Sequence, residues 1–292
     1  MDYLIIKNTS LKKYNTLQLD VYAALLILPY SVNGLVQALQ AYQGKRIVIL
    51  GNGSNVVFKQ SLYDDQTVFI VTQLLDSIDL HDHLLSVECG VSLNRLAWFA
   101  CERSIDGYAF CEDIPGTIGG GLYMNAGQWQ FTLGKCVKWI EIYNMDQQQV
   151  ETLYPDADFF RYRYSKLNEM NAVVLRAALV SAEGDYLTIL DQMLKYRRER
   201  YVKQPRNFPN AGSVFKRPAD KDGNDLFVWK LFDETGLRGF RIGDAMISEK
   251  HPGFIVNVNK ASVQDISLVI QEATRRVKEA FDVDLELEWR VI

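Results

Sequence analysis

The chain has 292 residues, 48% of them hydrophobic, enough for about two domains with sizeable cores. A formal net charge of -4 provides no overall basic field, so composition points to no nucleic acid and no membrane as partner. No apolar run reaches the ~20 residues a membrane span needs. The start, Met1-Asp-Tyr-Leu-Ile-Ile-Lys7, lacks the basic and apolar regions of a secretory leader. Cys89, Cys101, Cys111 and Cys136 form no CxxC pair, which argues against a metal site or a disulfide framework and fits reduced thiols in a cytoplasm. His81 and His83 lie in an acidic polar loop with no third ligand nearby.

Helix and strand signals then alternate. Ser31 can cap a helix carrying Leu35, Val36, Leu39 and Tyr42, which Gly44 ends. Arg46–Leu50 is a short apolar strand running straight into Gly51-Asn-Gly-Ser-Asn55. Val68–Val71 and Leu84–Glu88 read as further strands, and Ser92 opens a helix with Leu93, Leu96, Ala97 and Ala100 on one face. Strand-like segments follow at Val137–Tyr143 and Ala172–Ala177. A polar helix over about 186–201 bridges to a second half, beginning near the prolines at 205 and 209. Its basic run, Tyr196-Arg-Arg-Glu-Arg200, reads as a solvated face. The clearest helix, over 262–281, starts with a capping-box pattern of Ser262 and Asp265. The pattern is that of an α+β chain in two parts, with a boundary near 190–205.

Between the second helix and Val137 lies the densest glycine cluster, Asp113-Ile-Pro-Gly-Thr-Ile-Gly-Gly-Gly-Leu-Tyr-Met-Asn-Ala-Gly127. Glycine allows close backbone approach, and a run of bare N–H groups suits phosphate or pyrophosphate. An irregular surface loop is the plain alternative. Gly51-Asn52-Gly53-Ser54-Asn55 is a second such turn. It is neither a dinucleotide fingerprint, since Val56 replaces the third glycine, nor a P-loop. Two glycine turns in one domain suggest a two-sided grip on a dinucleotide.

Three further segments offer reactive groups. Arg161-Tyr-Arg-Tyr-Ser165 presents guanidinium forks suited to a carboxylate. Asn210-Ala-Gly-Ser-Val-Phe-Lys-Arg-Pro218 places Ser213 after Ala-Gly, with Lys216 and Arg217 nearby, but no GxSxG elbow marks a hydrolase. The alternating end, 285–292, predicts a strand with Glu286, Glu288 and Arg290 on one face and Leu285, Leu287, Trp289 and Val291 on the other. A polar strand face, a polar loop and a solvent-facing acidic row are the plain alternatives for these three.

In this order the motifs resemble the UDP-N-acetylenolpyruvoylglucosamine reductase family over nearly the whole chain. They run from Leu11-Lys-Lys-Tyr-Asn-Thr-Leu17, through both glycine turns, Tyr162-Arg-Tyr-Ser165 and Ala211–Pro218, to Lys250-His-Pro-Gly-Phe-Ile-Val-Asn257 and Glu288-Trp-Arg290. The resemblance implies a vanillyl-alcohol-oxidase/PCMH-type FAD-binding domain of two α+β subdomains at 1–190, then a smaller α+β substrate-binding domain at 203–292.

It also implies non-covalent FAD, with NADPH as hydride donor and UDP-N-acetylglucosamine-enolpyruvate as substrate, in a cytoplasmic enzyme of peptidoglycan precursor synthesis; the oligomeric state stays open, a monomer being favoured. Arg163, Ser213 and Glu288 match the family's catalytic arginine, proton-donating serine and glutamate. The implied cofactor-binding set is Gly51, Asn52, Gly53, Ser54, Asn55, Pro115, Gly116, Thr117, Gly119, Gly120, Asn125, Ala126 and Gly127. Tyr162, Lys216, Arg217, His251 and Asn257 are the implied substrate contacts, and Lys216 or Arg217 is expected to favour deprotonation of Ser213. The chain lacks the insertion some members carry between domains and so resembles the shorter type II form. Gln128 and Gln130 depart from the small residue and glycine expected there. The alternatives are another flavin oxidase or dehydrogenase on the same fold, or a non-catalytic flavin- or UDP-sugar-binding protein.

Overall fold

The apolar runs become strands and the 3.6-period segments become helices in a computed structural model that describes residues 2–220 and 223–292. The chain divides into two units. The first is Met1–Lys7, Ala24–Asn52 and Asp64–Arg200; the second is Asn8–Ala23, Gly53–Tyr63 and Tyr201–Ile292. The second unit recruits two early segments that a contiguous division of the chain leaves in the first half.

The first unit is built on two sheets. One has the order Tyr3–Ser10, Tyr22–Pro29, Leu62–Val71, Arg46–Leu50, the last two parallel with Ile47 opposite Val68. Helix α1 (Val32–Ala41) is capped by the Ser31 hydroxyl, which accepts from Gly34 N, and buries Leu35, Ala38 and Leu39. The other sheet is antiparallel, in the order Gln149–Leu153, Val137–Asn144, Ala172–Val180, Leu84–Glu88, Ile78–His81. Helix α2 (Leu93–Glu102) is capped by Ser92 and buries Leu93, Leu96, Ala97, Ala100 and Cys101. Ile27, Leu35, Val68 and Ile70 share one apolar core with Leu85, Leu96, Ile140 and Leu175. The short helix α3 (Ile118–Tyr123) lies in the glycine cluster, and α4 (Tyr186–Lys203) closes the unit with Ile189 and Met193 buried.

The second unit is a four-stranded antiparallel sheet in the order Asn210–Ser213, Phe254–Asn257, Ala245–Ile247, Arg241–Ile242. Helix α5 (Val228–Glu234) precedes it in part, and α6 (Val263–Phe281) packs on it through Ile266, Val269, Ala273 and Val277. The Ser262–Asp265 capping box forms as expected. The C-terminal segment does not alternate cleanly. Leu287 bridges antiparallel to Phe215, whereas Arg290 and Val291 pair parallel with Val56 and Val57. Changing partner rotates the segment, so Trp289 is buried while Val291 is exposed. All four cysteines are free thiols.

Candidate active site

In the first unit the two glycine turns are joined. Asn52 Nδ2 donates to Pro115 O at 3.1 Å and reaches Gly116 O at 3.5 Å, while its own Oδ1 accepts from Gln73 Nε2 at 3.0 Å. The glycine cluster is lashed to the core by its backbone: Leu93 N donates to Gly116 O, Ile118 N to Val91 O, and Gly119 N to Cys89 O.

The glycines serve two purposes. A Cβ at Gly51 would overlap buried Thr117 Oγ1, and one at Gly127 would overlap the Phe131 carbonyl oxygen. A Cβ at Gly119 would press on Cys89 at 3.2 Å and one at Gly121 on Leu133 at 3.1 Å. Those four are needed for packing. Gly120 is exposed, and a Cβ there would meet only Thr117 Oγ1, at 3.7 Å. Among the described residues its N–H donates to no protein acceptor, nor do those of Gly53 and Ser54 in the second unit. The exposed Gly120 backbone, with its unspent donor, fits an anionic group such as a pyrophosphate.

Arg163 is set in a tight turn between the paired strands Phe160–Arg161 and Tyr164–Ser165. Its φ is +51°, a left-handed conformation uncommon for arginine. Three polar side chains hold this turn. Asn125 Nδ2 donates to Arg161 O at 2.9 Å and its Oδ1 accepts from Gly134 N. Fully buried Ser165 donates to Tyr123 O at 2.9 Å, as Asn168 Nδ2 does at 2.7 Å. Asn125 and the serine of the Tyr-Arg-x-Ser motif thus position the arginine. Arg163 Nη2 donates to Gly127 O at 3.1 Å, and the guanidinium lies 5.2 Å from the ring centre of exposed Tyr162.

The basic run on α4 is not a solvated face throughout. Arg200 keeps only 17% of its side-chain exposure and stands 3.4 Å from Asp113 Oδ2. Its Nη1 donates to Gln128 Oε1 at 3.3 Å, and Gln128 Nε2 donates to Phe110 O at 2.6 Å. Arg197 pairs at 3.6 Å with Glu112, which is buried and also accepts from Asn94. Trp129 stacks on Tyr196 with ring centres 4.2 Å apart. Hydrophobic periodicity could not reveal this, because the α4 groups meet partners about 70 to 85 residues earlier. The one signal was the unexpected Gln128.

In the second unit, Ser213 follows Gly212, whose φ is +78°. Asn210 shapes that turn: its Nδ2 donates to the carbonyls of Pro205 and Phe208, and its Oδ1 accepts from Gly212 N. Glu288 N donates to Val214 O at 2.9 Å, so Ser213 and Glu288 stand on adjacent paired segments. Asn55 fixes the glutamate's backbone, donating through Nδ2 to Glu288 O at 3.0 Å and accepting from Arg290 N at 2.8 Å. Gly53 is anchored to the Asn15-Thr16 pair, where Thr16 N donates to Gly53 O and buried Asn15 ties Leu11 to Leu19.

Lys216 Nζ sits 2.5 Å from Glu286, and Arg217 Nη1 sits 2.9 Å from Asp225. Neither cation is on Ser213, which is against the expectation that one of them tunes it. His251 Nδ1 accepts from Gly253 N, and burial pushes its pKa down. Asn257 is buried, with Nδ2 on Leu17 O and Oδ1 accepting from Asn259 N and Ala261 N, so its amide holds three chain segments together.

These features describe a flavin-binding α+β protein. The FAD binding domain family matches residues 23–152, and the C-terminal domain of UDP-N-acetylenolpyruvoylglucosamine reductase matches 204–292. UDP-N-acetylenolpyruvoylglucosamine reductase of Caldicellulosiruptor bescii is 35% identical over 291 residues, covering 98% of this chain and 90% of that one. That of Pseudothermotoga lettingae is 36% identical over 288 residues, covering 98% of both. The crystal structure of the Thermus caldophilus reductase superposes with a TM-score of 0.81 at 30% identity and 99% coverage of both chains. The chain belongs to the UDP-N-acetylenolpyruvoylglucosamine reductase family. Among the described residues no helix is long and apolar enough to cross a membrane, and no group of three or more acidic, histidine or cysteine side chains could hold a metal.

Proposed function

We propose that the chain is the NADPH-dependent flavoenzyme that reduces the enolpyruvyl ether of UDP-N-acetylglucosamine-enolpyruvate to UDP-N-acetylmuramate, working as a cytoplasmic monomer in peptidoglycan precursor synthesis. The observation that supports the reading is the pairing of Glu288 N with Val214 O, which puts Ser213 and Glu288 on adjacent paired segments. Residues 1–190 are assigned to FAD and 203–292 to the UDP-sugar, with 8–23 and 53–63 adding to the second group.

Bound FAD supplies the hydride, taken from NADPH, that reduces the terminal carbon of the enolpyruvyl double bond. The Gly120 N–H group is the donor the first unit offers its pyrophosphate. As negative charge spreads into the substrate carboxylate, the Arg163 guanidinium neutralises it. Glu288 assists where it is protonated or hydrogen-bonded to the enolate carboxylate, because an ionised carboxylate beside an enolate would raise the barrier. Ser213 Oγ–H delivers the proton to the neighbouring carbon. Its placement by the Asn210-held turn, rather than a cation on its oxygen, makes it competent.

The test uses anaerobic absorbance. Purified protein should show the flavin spectrum, bleach with NADPH, and recover on adding UDP-N-acetylglucosamine-enolpyruvate. Bleaching without recovery would leave an oxidase or diaphorase, and a colourless protein that takes up no FAD would remove the reading.

A further inference from the structure

The hairpin that follows the glycine cluster carries an anchor for Arg163. Gly127–Gln128 pairs antiparallel with Phe131–Thr132, Gln128 opposite Phe131 and Gly127 opposite Thr132. Gly127 O accepts from Arg163 Nη2 at 3.1 Å, so the direction of that carbonyl sets where one arm of the guanidinium lies. Two strands this short do not hold their own geometry in water. The turn between them is also unfavourable, since Trp129 has a φ of +53°, a left-handed value for an aromatic residue. The hairpin therefore has to be fixed from outside.

Gln128 fixes it through both ends of its amide. Half-buried, it donates through Nε2 to Phe110 O at 2.6 Å and accepts through Oε1 from Arg200 Nη1 at 3.3 Å. Both partners are themselves held. Phe110 is buried in the core of the first unit and stacks on Phe131, with ring centres 6.0 Å apart. Arg200 faces Asp113 on its other side, Nε to Oδ2 at 3.4 Å, and both side chains are mostly shielded from solvent. The Asp113–Arg200 pair is thus a post to which Gln128 ties the hairpin. All of these residues, with Arg163, belong to the first unit. A small residue at 128 reaches neither Phe110 O nor Arg200. The Gly127 carbonyl would then depend on the short strand pair and on the stacking of Trp129 and Phe131.

We propose that Gln128 is a positioning residue for the reaction: by fixing the Gly127 carbonyl it holds the Arg163 guanidinium where charge develops on the substrate carboxylate. This rests on the proposed reductase reading. Gln128 acts through Arg163, and no bond forms or breaks at it. Asp113 and Arg200 act one step further out, as the support for Gln128.

Anaerobic stopped flow on the FAD-loaded protein reads the two half-reactions separately in wild type, Gln128→Ala, Arg163→Ala and the double variant. Gln128→Ala should slow reoxidation by saturating UDP-N-acetylglucosamine-enolpyruvate about 10- to 100-fold, up to what a misplacement of about 1 Å costs. Reduction by NADPH, in which no charge builds on a substrate carboxylate, should stay within about twofold. Arg163→Ala removes the guanidinium and should slow reoxidation about 100- to 1,000-fold. In that background Gln128→Ala should add less than about twofold, because nothing remains for it to position. A Gln128→Ala loss that multiplies in full onto that of Arg163→Ala, equal slowing of both half-reactions, or reoxidation as fast as in wild type would overturn the positioning role. Should Gln128→Ala fail to retain FAD, Gln128→Glu decides by the same comparisons, since it keeps an acceptor for Arg200 and loses only the donor to Phe110 O. Wild-type protein whose reduced flavin the substrate cannot reoxidise would defeat the reductase reading and this role with it. Recovery of wild type beside an unslowed Gln128→Ala defeats the role alone.

Discussion

Gly120→Ala separates the two purposes that glycine serves in the 113–127 loop. Gly120 lies inside α3 with a negative φ, and a Cβ there meets nothing nearer than Thr117 Oγ1 at 3.7 Å. Alanine is the better helix former by about 1 kcal/mol. The apo protein should therefore hold its stability or gain about 2 °C in Tm. The same methyl would project beside the unspent Gly120 N–H and keep a phosphate oxygen away from it. Losing one charge-assisted hydrogen bond to the pyrophosphate raises the Kd for FAD by about 10- to 100-fold. At a fixed FAD concentration well above both Kd values, a 100-fold rise removes about 2.7 kcal/mol of ligand-linked stabilisation. Thermal unfolding of stripped and FAD-loaded protein, with FAD fluorescence titration, reads both effects. Opposite signs for apo stability and FAD affinity are expected. A variant that binds FAD as tightly as wild type would refute the placement of pyrophosphate at Gly120. Gly127→Ala provides the contrast, because its Cβ would overlap the Phe131 backbone oxygen and should destabilise the apo protein itself.

Other outcomes follow from single residues. Ser213→Ala should still bleach with NADPH but recover with substrate at least about 100-fold more slowly, in the range general-acid catalysis supplies; normal recovery in stopped flow would remove its role. Lys216→Met should leave both half-reactions within about twofold, since Lys216 is held by Glu286 and a solvent-exposed pair contributes about 0–1 kcal/mol. Asn257→Ala should lower unfolding free energy in urea by about 2–4 kcal/mol, because three hydrogen bonds, two of them buried, go at once. Burial pushes the Cys89 thiol from 9.0 to about 12 and the Cys111 thiol well above its usual value. A thiol whose folded pKa is raised contributes stability that is complete below pH 9 and is lost as pH climbs toward 12. Native protein at pH 8 should leave both thiols unmodified by a thiol reagent, and both should react once the chain unfolds.

How legible this was depended on the range over which each residue finds its partner. The Ser31, Ser92 and Ser262 caps were readable because the hydroxyl and its donor lie three residues apart. The strands Arg46–Leu50 and Leu84–Glu88 were readable because buried strands need continuous or alternating apolar side chains. The glycine cluster was legible as a feature but not in its purpose. Sequence alone suggested bare N–H groups for a ligand throughout, whereas Gly119, Gly121 and Gly127 make room for Cys89, Leu133 and Phe131.

Long-range partners were invisible. Nothing local says that Asn257 completes the carbonyl of Leu17, or that Asn55 holds Glu288 across 233 positions. The same applies to Arg200. On a helical wheel it belongs to a charged face, and its burial is decided by Asp113 and Gln128 on a loop with no periodicity. Interleaving of the two units has the same cause. The prolines at 205 and 209 can mark a boundary near 200, but Asn8–Ala23 and Gly53–Tyr63 join the second unit through contacts such as Tyr63 Oη to Ile292 O at 2.7 Å. The Gly51–Asn55 turn therefore straddles the units: Asn52 secures Pro115 in the first, and Asn55 secures Glu288 in the second. That turn carries more than a cofactor grip, because Asn52 and Asn55 each tie a backbone carbonyl distant in sequence within their own unit.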